Sequence, residues 1–188
     1  MRLWITGYRS YELNIYKDSD PKIEVLKSII KDALRSKAEN GLEWILVGGQ
    51  TGIEQLTVQV VEELKKDFPI LKVAMMLPYK DFEKNWKEDR QNAFSILKNK
   101  VDFFGEVSTE VYKSPKQLQN WQKFMLNHTE EALIVYDPEF EGKSKYDVIA
   151  AKKYAQKNKY NVLMIDMDWL ENGAREFFER KNENDLQS

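Results

Sequence analysis

The chain has 188 residues, of which 42% are apolar and 32% are charged, a composition typical of a soluble globular protein. Its 29 basic and 31 acidic residues leave a net charge of −2, which argues against the strongly positive surface of a nucleic-acid binder. The absence of cysteine excludes disulfides and thiolate chemistry, and the single histidine, His128, argues against a histidine-built metal site or a Ser-His-Asp triad. Any chemistry must therefore use carboxylates, hydroxyls, arginine, lysine or the backbone, and no metal is expected.

The sequence also argues against a membrane-spanning helix and a signal peptide. No apolar run approaches the ~18 residues of a membrane-spanning helix. The chain enters a strand pattern at once, without the apolar core and cleavage site of a signal peptide. The sequence therefore predicts a cytoplasmic protein without membrane contact.

Short apolar segments alternate with helical patterns along the whole chain. This order is typical of an α/β fold in which helices cover both faces of a mostly parallel sheet of five to six strands. The predicted strands are Arg2 to Thr6, Trp44 to Val47, Leu71 to Leu77, Val101 to Val107, Ala132 to Tyr136 and Val162 to Ile165.

The helices between these strands carry recognisable start signals. Asp20-Pro21 supplies an N-cap and a proline at the first helical position, and Asn40-Gly41 ends the first helix. The third helix is predicted around Trp86 to Leu97, and Leu118, Trp121 and Met125 form the apolar face of the fourth. Ser114 with Gln117, and Ser144 with Asp147, read as capping boxes. We expect one domain over residues 1–178 and a polar, frayed tail over 179–188.

A glycine-rich bend follows the second strand, and a helical pattern begins directly after it. Glycine allows positive φ and close approach to a ligand, while a helix N-terminus presents free N–H groups to an anion. Gly48, Gly49 and Gly52 also suit a purely steric turn, and the helix dipole alone favours Glu54 in a first turn. The bend therefore predicts a phosphate cradle, with a structural role for its glycines as the alternative.

Ligands of open parallel sheets bind beyond the carboxyl ends of the strands, so the residues that follow each strand are candidates. This set is rich in glycine, aromatic and hydrogen-bonding side chains, which suits a nucleotide. The candidates are Gly7, Tyr8, Arg9, Gly48, Gly49, Gln50, Thr51, Gly52, Glu54, Pro78 and Asp137.

Several of these segments together resemble the YpsA-like (UPF0398) family of the SLOG superfamily, named for the SMF/DprA and LOG proteins. The matching segments follow the family's order over nearly the whole chain. They are Ile5 to Arg9, Gly48 to Glu54, Glu83 to Trp86, Tyr112 to Gln117 and Tyr136 to Tyr146.

The resemblance implies a Rossmann-like three-layer sandwich that binds a nucleotide or an NAD-derived ligand such as ADP-ribose. It adds Trp86 to the candidate ligand contacts, together with the second loop, represented by Gly142, Ser144, Lys145 and Tyr146. LOG-type relatives cleave nucleoside monophosphates with a glutamate and an arginine. By that likeness Glu54 and Arg9 become candidate catalytic residues, although Glu141 to Ser144 replace the second glycine-rich loop of those enzymes.

Three functional hypotheses follow. The first is a nucleotide-binding protein that senses its ligand and passes that state to a protein partner. The second is a nucleotide N-glycosidase. The third, by likeness to the SMF/DprA branch, is single-stranded DNA binding, which the near-neutral charge disfavours. A homo-oligomer is compatible with the sequence.

Overall fold

The computed structural model describes residues 1–187. The strands are β1 Arg2–Gly7, β2 Trp44–Val47, β3 Lys72–Leu77, β4 Phe103–Glu106, β5 Glu131–Val135 and β6 Asn161–Ile165. The helices are α1 Pro21–Glu39, α2 Ile53–Leu64, α3 Glu88–Lys98, α4 Pro115–Asn127, α5 Lys145–Ala155 and α6 Met167–Gln187, and a short 3-10 helix covers Ser10–Leu13.

The six strands form one parallel sheet in the order β4-β3-β2-β1-β5-β6. β1 is the switch point, because β2 to β4 extend from one side of it, while β5 and β6 extend from the other. Its register pairs Leu3 with Ile45 on one side and with Glu131 on the other. The predicted α/β fold with six strands is confirmed.

Helices cover both faces of the sheet. α1 packs against α2 and α6, and α4 packs against α5. Consecutive residues of β1, Leu3, Trp4 and Ile5, are fully buried, since alternate side chains enter the two layers. The arrangement is the predicted Rossmann-like three-layer sandwich.

Local capping explains where α1 begins and ends. Asp20 Oδ1 accepts a hydrogen bond from Lys22 N at 2.9 Å, and Pro21 opens the helix. After the helix, Gly41 adopts a φ of +89°, which reverses the chain toward β2. These boundaries confirm the prediction from Asp20-Pro21 and Asn40-Gly41.

Three local predictions around the later helices were wrong. α3 begins at Glu88, so Trp86 lies in the preceding turn, where its N–H donates to Glu83 O at 2.9 Å. The capping box before α5 does not form: Ser144 Oγ is buried without a hydrogen-bond partner, and Asp147 accepts from Gln122 instead. Leu118, expected on the buried face of α4, is 39% exposed.

The C-terminal helix is longer than expected. α6 continues through the segment predicted to fray, as far as Gln187, whereas Ser188 lies outside the described residues. Arg180 holds this part of the helix to α1 through Asp32 at 3.0 Å. Gly173, which weakens the helical pattern, lets α6 approach α1: a Cβ there would lie 2.5 Å from Ile29 Cγ1.

Candidate functional site

A cleft of about 640 Å³ opens at the carboxyl edge of the sheet, where the chain leaves β1, β2 and β3. Residues of α4 and α5 form its other walls. Its lining residues are Thr6, Gly7, Arg9, Gly48, Gln50, Glu54, Pro78, Phe82, Pro115, Leu118, Gln119, Trp121, Gln122, Lys143, Tyr146, Asp147, Ile149, Ala150 and Lys153.

The glycines of the bend after β2 are required by packing. Gly49 and Gly52 have φ values of +87° and +85°, which disfavour other residues. A Cβ on Gly49 would lie 2.7 Å from Leu77 Cδ2, and one on Gly52 would lie 2.7 Å from Ser10 N. Gly48 faces Trp121, whose ring a Cβ would overlap. The steric reading of this bend therefore accounts for all three glycines.

Glu54 is the most buried charged group of the cleft, and its side chain lies in the first turn of α2. Its Oε2 accepts a hydrogen bond from the backbone N–H of Gln50 at 2.7 Å. Burial raises the pKa of Glu54 to about 7, against the opposing effects of the Gln50 amide, the Thr6 side chain and Arg9. The carboxylate thus occupies an amide that the predicted phosphate cradle would have offered to a ligand.

Asp147 is a second buried carboxyl in the cleft, which sequence reasoning had assigned to helix capping. It lies in the first turn of α5, and its Oδ1 accepts from Gln122 Nε2 of α4 at 2.7 Å. Burial raises the pKa of Asp147 to about 6, although the Gln122 hydrogen bond and Arg9 oppose this shift. The negative charge of Asp147 also raises the pKa of Glu54.

Three basic side chains, Arg9, Lys143 and Lys153, also line the cleft. Glu12 links the loops that carry the first two. Its carboxylate accepts from Arg9 N at 2.8 Å and from Lys143 N at 2.7 Å, and the Arg9 guanidinium lies 4.0 Å away. The loop after β1 and the loop before α5 are therefore held together beside the acidic pair.

Apolar and aromatic groups form the rest of the cleft. Pro78, Phe82 and Trp121 are buried in its walls, whereas Leu118, Tyr146 and Ile149 are exposed around it. Trp121 is held by a hydrogen bond from Nε1 to Met76 O at 2.7 Å. The buried inner wall therefore contrasts with accessible side chains on α4 and α5.

Several candidate residues instead hold the edge of the sheet together. Tyr8 O–H donates to Phe140 O at 2.7 Å and accepts from Asp137 N at 2.8 Å. Asp137 Oδ2 accepts from Met167 N at 3.0 Å, and Gly142 packs on the Tyr8 ring. Trp86 contacts the rings of Phe82 and Phe94. These groups shape the loops behind the cleft.

The cleft brings together part of the predicted set: Gly7, Arg9, Gly48, Gln50, Glu54, Pro78 and Tyr146. The predicted residues that do not line it are Tyr8, Gly49, Thr51, Gly52, Trp86, Asp137, Gly142, Ser144 and Lys145. Sequence reasoning missed Asp147 and Gln122 as cleft residues; the signals for Asp147 were a capping pattern with Ser144 and an acidic first turn, both of which also mark ordinary helices.

Within residues 1–187, no three acidic, histidine or cysteine side chains are grouped so that they could hold a metal ion. In the same part of the chain, no helix has the length and apolarity that a membrane crossing requires.

Comparison with known proteins identifies the family. Residues 3–170 match the model of YpsA, described as the YspA SLOG family. A UPF0398 protein of Leuconostoc citreum is 54% identical over 98% of both chains. Another, from Ligilactobacillus salivarius, is 49% identical over 96% of this chain and 98% of the relative.

A solved structure shares the fold at low sequence identity. It is DNA processing protein A from Helicobacter pylori, described as binding single-stranded DNA. The TM-score is 0.51 at 16% identity, over 86% of this chain and 64% of that structure, so this chain spans less than two thirds of its length. The near full-length match to the family model and to the UPF0398 proteins decides the assignment: the chain belongs to the YpsA family of SLOG proteins.

Proposed function

We propose that this protein is a cytosolic nucleotide-binding protein, whose ligand is a nucleotide or an NAD-derived molecule such as ADP-ribose. The observation that carries the proposal is the cleft at the strand-order switch, which combines two buried carboxyls, three cations and an aromatic wall. In this proposal the protein senses the ligand and passes the bound state to a protein partner.

Each part of a nucleotide has complementary groups in the cleft. Arg9, Lys143 and Lys153 suit phosphate, because guanidinium and ammonium groups form charge-assisted hydrogen bonds with its oxygens. The cations are better phosphate ligands than the Gln50 amide, which Glu54 already occupies. We therefore propose that the basic side chains bind the phosphate, in place of the glycine cradle that the sequence predicted.

The nucleobase has an apolar surface beside these polar groups. Leu118 and Ile149 are exposed on α4 and α5, and Tyr146 offers an aromatic face with 58% exposure. Stacking and apolar contact tolerate any base, whereas the glutamines at 50, 119 and 122 have donors and acceptors that distinguish one base from another.

Thermal unfolding with AMP, ADP and ADP-ribose tests the proposal. A ligand at 100 times its dissociation constant stabilises by about 2.7 kcal/mol. For a chain of this size, that corresponds to a rise of roughly 5–10 °C in the unfolding midpoint. Arg9→Gln should abolish the rise, whereas Arg35→Gln, which removes a surface pair with Asp67, should keep it. No shift with any of the three ligands would contradict nucleotide binding.

A second candidate function is hydrolysis of a nucleotide N-glycosidic bond. The observation that favours it is Glu54, whose pKa of about 7 suits a general acid or base near neutral pH. Chromatographic detection of free base from a nucleotide panel tests it. Turnover that Glu54→Gln abolishes would establish the enzyme, and undiminished turnover in that variant would remove Glu54 from the reaction.

Single-stranded DNA is a third ligand class, suggested by the shared fold of the Helicobacter pylori protein. The net charge of −2 disfavours it, because strand binding depends on neutralising many phosphates. Tight oligonucleotide binding that weakens steeply with added salt would replace the small-molecule proposal.

A further inference from the structure

We propose that Asp147 and Glu54 together bind the vicinal hydroxyls of a ribosyl group, so that the cleft selects ribonucleotides over their 2′-deoxy analogues. The inference rests on the proposed nucleotide function and assigns a role in ligand binding to Asp147, which the sequence indicated only as a helix-capping residue. It rests on the position, burial and hydrogen bonding of the two carboxyls.

The two carboxyls reach one cleft from separate helices. Glu54 is in the first turn of α2, which packs with α1, and Asp147 is in the first turn of α5, which packs with α4. Both line the cavity beside Thr6 and Gly7 at the end of β1. Two acceptors from separate elements suit a ligand group that carries two neighbouring donors.

Each carboxyl is held in place by a protein donor. Gln122 Nε2 donates to Asp147 Oδ1 at 2.7 Å, and the Gln50 amide donates to Glu54 Oε2 at 2.7 Å. A carboxylate offers about four lone-pair positions on two oxygens, so both groups retain acceptor capacity. Their side chains are about 90% or more buried, which makes a mismatched polar group costly.

The other groups of the cleft limit which kind of ligand group could bind the two carboxyls. The described residues place no third acidic or histidine side chain with these two carboxyls, so the protein alone does not complete a set of metal ligands. A purely cationic ligand is disfavoured by Arg9, Lys143 and Lys153 in the same cavity. A neutral diol beside a phosphate satisfies both the acidic and the basic groups, and ribose phosphates have this combination.

Calorimetric titration with matched ligand pairs tests the inference. The pairs are AMP with 2′-deoxy-AMP, ADP with 2′-deoxy-ADP, and ADP-ribose with its 2′-deoxy analogue. Loss of a hydrogen bond to a charged group should weaken binding of the deoxy member by about 10-fold or more. Equal affinities within the pairs that bind would overturn the diol role alone, whereas failure of all six ligands to bind would overturn the nucleotide proposal as well.

The variant that isolates Asp147 is Asp147→Asn, which keeps an acceptor for Gln122 but loses the carboxylate. We expect its discrimination against either the 2′-deoxy or the 3′-deoxy analogue, whichever lacks the hydroxyl that Asp147 binds, to fall from about 10-fold to near 1, because the affinity for the ribonucleotide falls. Asp89→Asn is the control, because Asp89 lies in the first turn of α3, is exposed and is absent from the cleft. Unchanged discrimination against both analogues in a folded Asp147→Asn protein would overturn the role of Asp147.

Discussion

The buried acidic residues at the two edges of the sheet differ in their hydrogen-bond and ion-pair partners. At the amino edge, Glu131 of β5 accepts from Lys37 Nζ at 2.5 Å and from Asn161 Nδ2 at 3.1 Å. At the carboxyl edge, among the described residues, Glu54 and Asp147 accept from amide groups, and neither has an ion pair within 4.0 Å.

This difference is the one expected between an acidic residue that stabilises the fold and acidic residues that line a binding site. A buried carboxylate that serves the fold is best paired with a cation, because an uncompensated charge in the interior is costly. In the part of the chain that the structure describes, Glu54 and Asp147 have no such paired cation and lie beside an open cleft, and their raised pKa values reflect the cost of burying the charged form. Perturbed carboxyls that line a cavity are typical of binding and catalytic sites.

The largest expected effect is a loss of stability on replacing a glycine at the carboxyl edge. It is judged against the same replacement at the amino edge, where the glycine has nearly the same φ. Gly52→Ala at the carboxyl edge combines backbone strain with overlap of Tyr8 O and Ser10 N, and should cost about 4 kcal/mol. Gly41→Ala at the amino edge has open space around its Cβ, and should cost only about 1 kcal/mol. Urea unfolding measures both; equal losses would contradict the packing role of Gly52.

Breaking the amino-edge ion pair should have the next largest effect. Lys37→Met leaves the mostly buried Glu131 carboxylate without its cation, so we expect a loss of about 3 kcal/mol at pH 7. Lys123→Met, at an exposed position of α4, is the control and should change stability by less than about 0.5 kcal/mol. A similar small change for both variants would show that the amino-edge pair does not compensate a buried charge.

The pH dependence of stability should report the carboxyl edge. The folded protein binds protons more tightly at Glu54 and Asp147 than the unfolded chain, whose carboxyls have pKa values of 4.5 and 3.8. Stability from these groups is therefore present below those values and is lost as pH rises toward about 6 for Asp147 and about 7 for Glu54. Between pH 5 and pH 7.5 we expect a decrease of about 2 kcal/mol from Glu54.

Glu54→Gln is the variant that checks this assignment. It keeps an acceptor for the Gln50 amide and removes the ionisation, so the slope of unfolding free energy against pH should become shallower. Glu63, Asp102 and Glu130 have lowered pKa values, and the stability they contribute is lost below their ordinary values of 4.5, 3.8 and 4.5. A slope unchanged by Glu54→Gln between pH 5 and pH 7.5 would contradict the raised pKa.

The smallest effect concerns the loops behind the cleft. Tyr8→Phe removes the hydrogen bond to Phe140 O and leaves the Asp137 amide without the Tyr8 oxygen, at a cost of about 1 kcal/mol. Hydrogen exchange should show faster exchange of the Asp137 amide, with no change at the amino edge around Glu131. Protection of the Asp137 amide equal to that of wild type would contradict this role of Tyr8.

Much of the fold could be predicted because its signals are local. Asp20 and Pro21 define the start of α1, and the apolar segments correspond to the six strands within two residues at every end. The capping box before α5 failed as a prediction, because Ser144 is buried without a partner and Asp147 bonds across to α4. Long-range partners of this kind leave no trace in the local sequence pattern.

The candidate site could be predicted only in part for the same reason. Arg9, Gln50 and Glu54 follow strands of the sheet, and the rule for carboxyl edges finds them directly. Trp121 and Gln122 come from α4, whose position over β1 and the bend depends on the crossover between β4 and β5. Nothing near these residues in sequence indicates that they contact the cleft.

Periodicity, caps and the order of apolar segments in this chain were enough to specify an α/β sandwich and the edge at which its ligand is expected, because each depends on neighbours a few residues apart. The roles of individual groups depended on packing between distant elements. The glycines of the bend became packing contacts for Trp121, Leu77 and the loop after β1. Asp147 joined the cleft because α4 and α5 meet there, and burial at that contact set its hydrogen bond and its pKa.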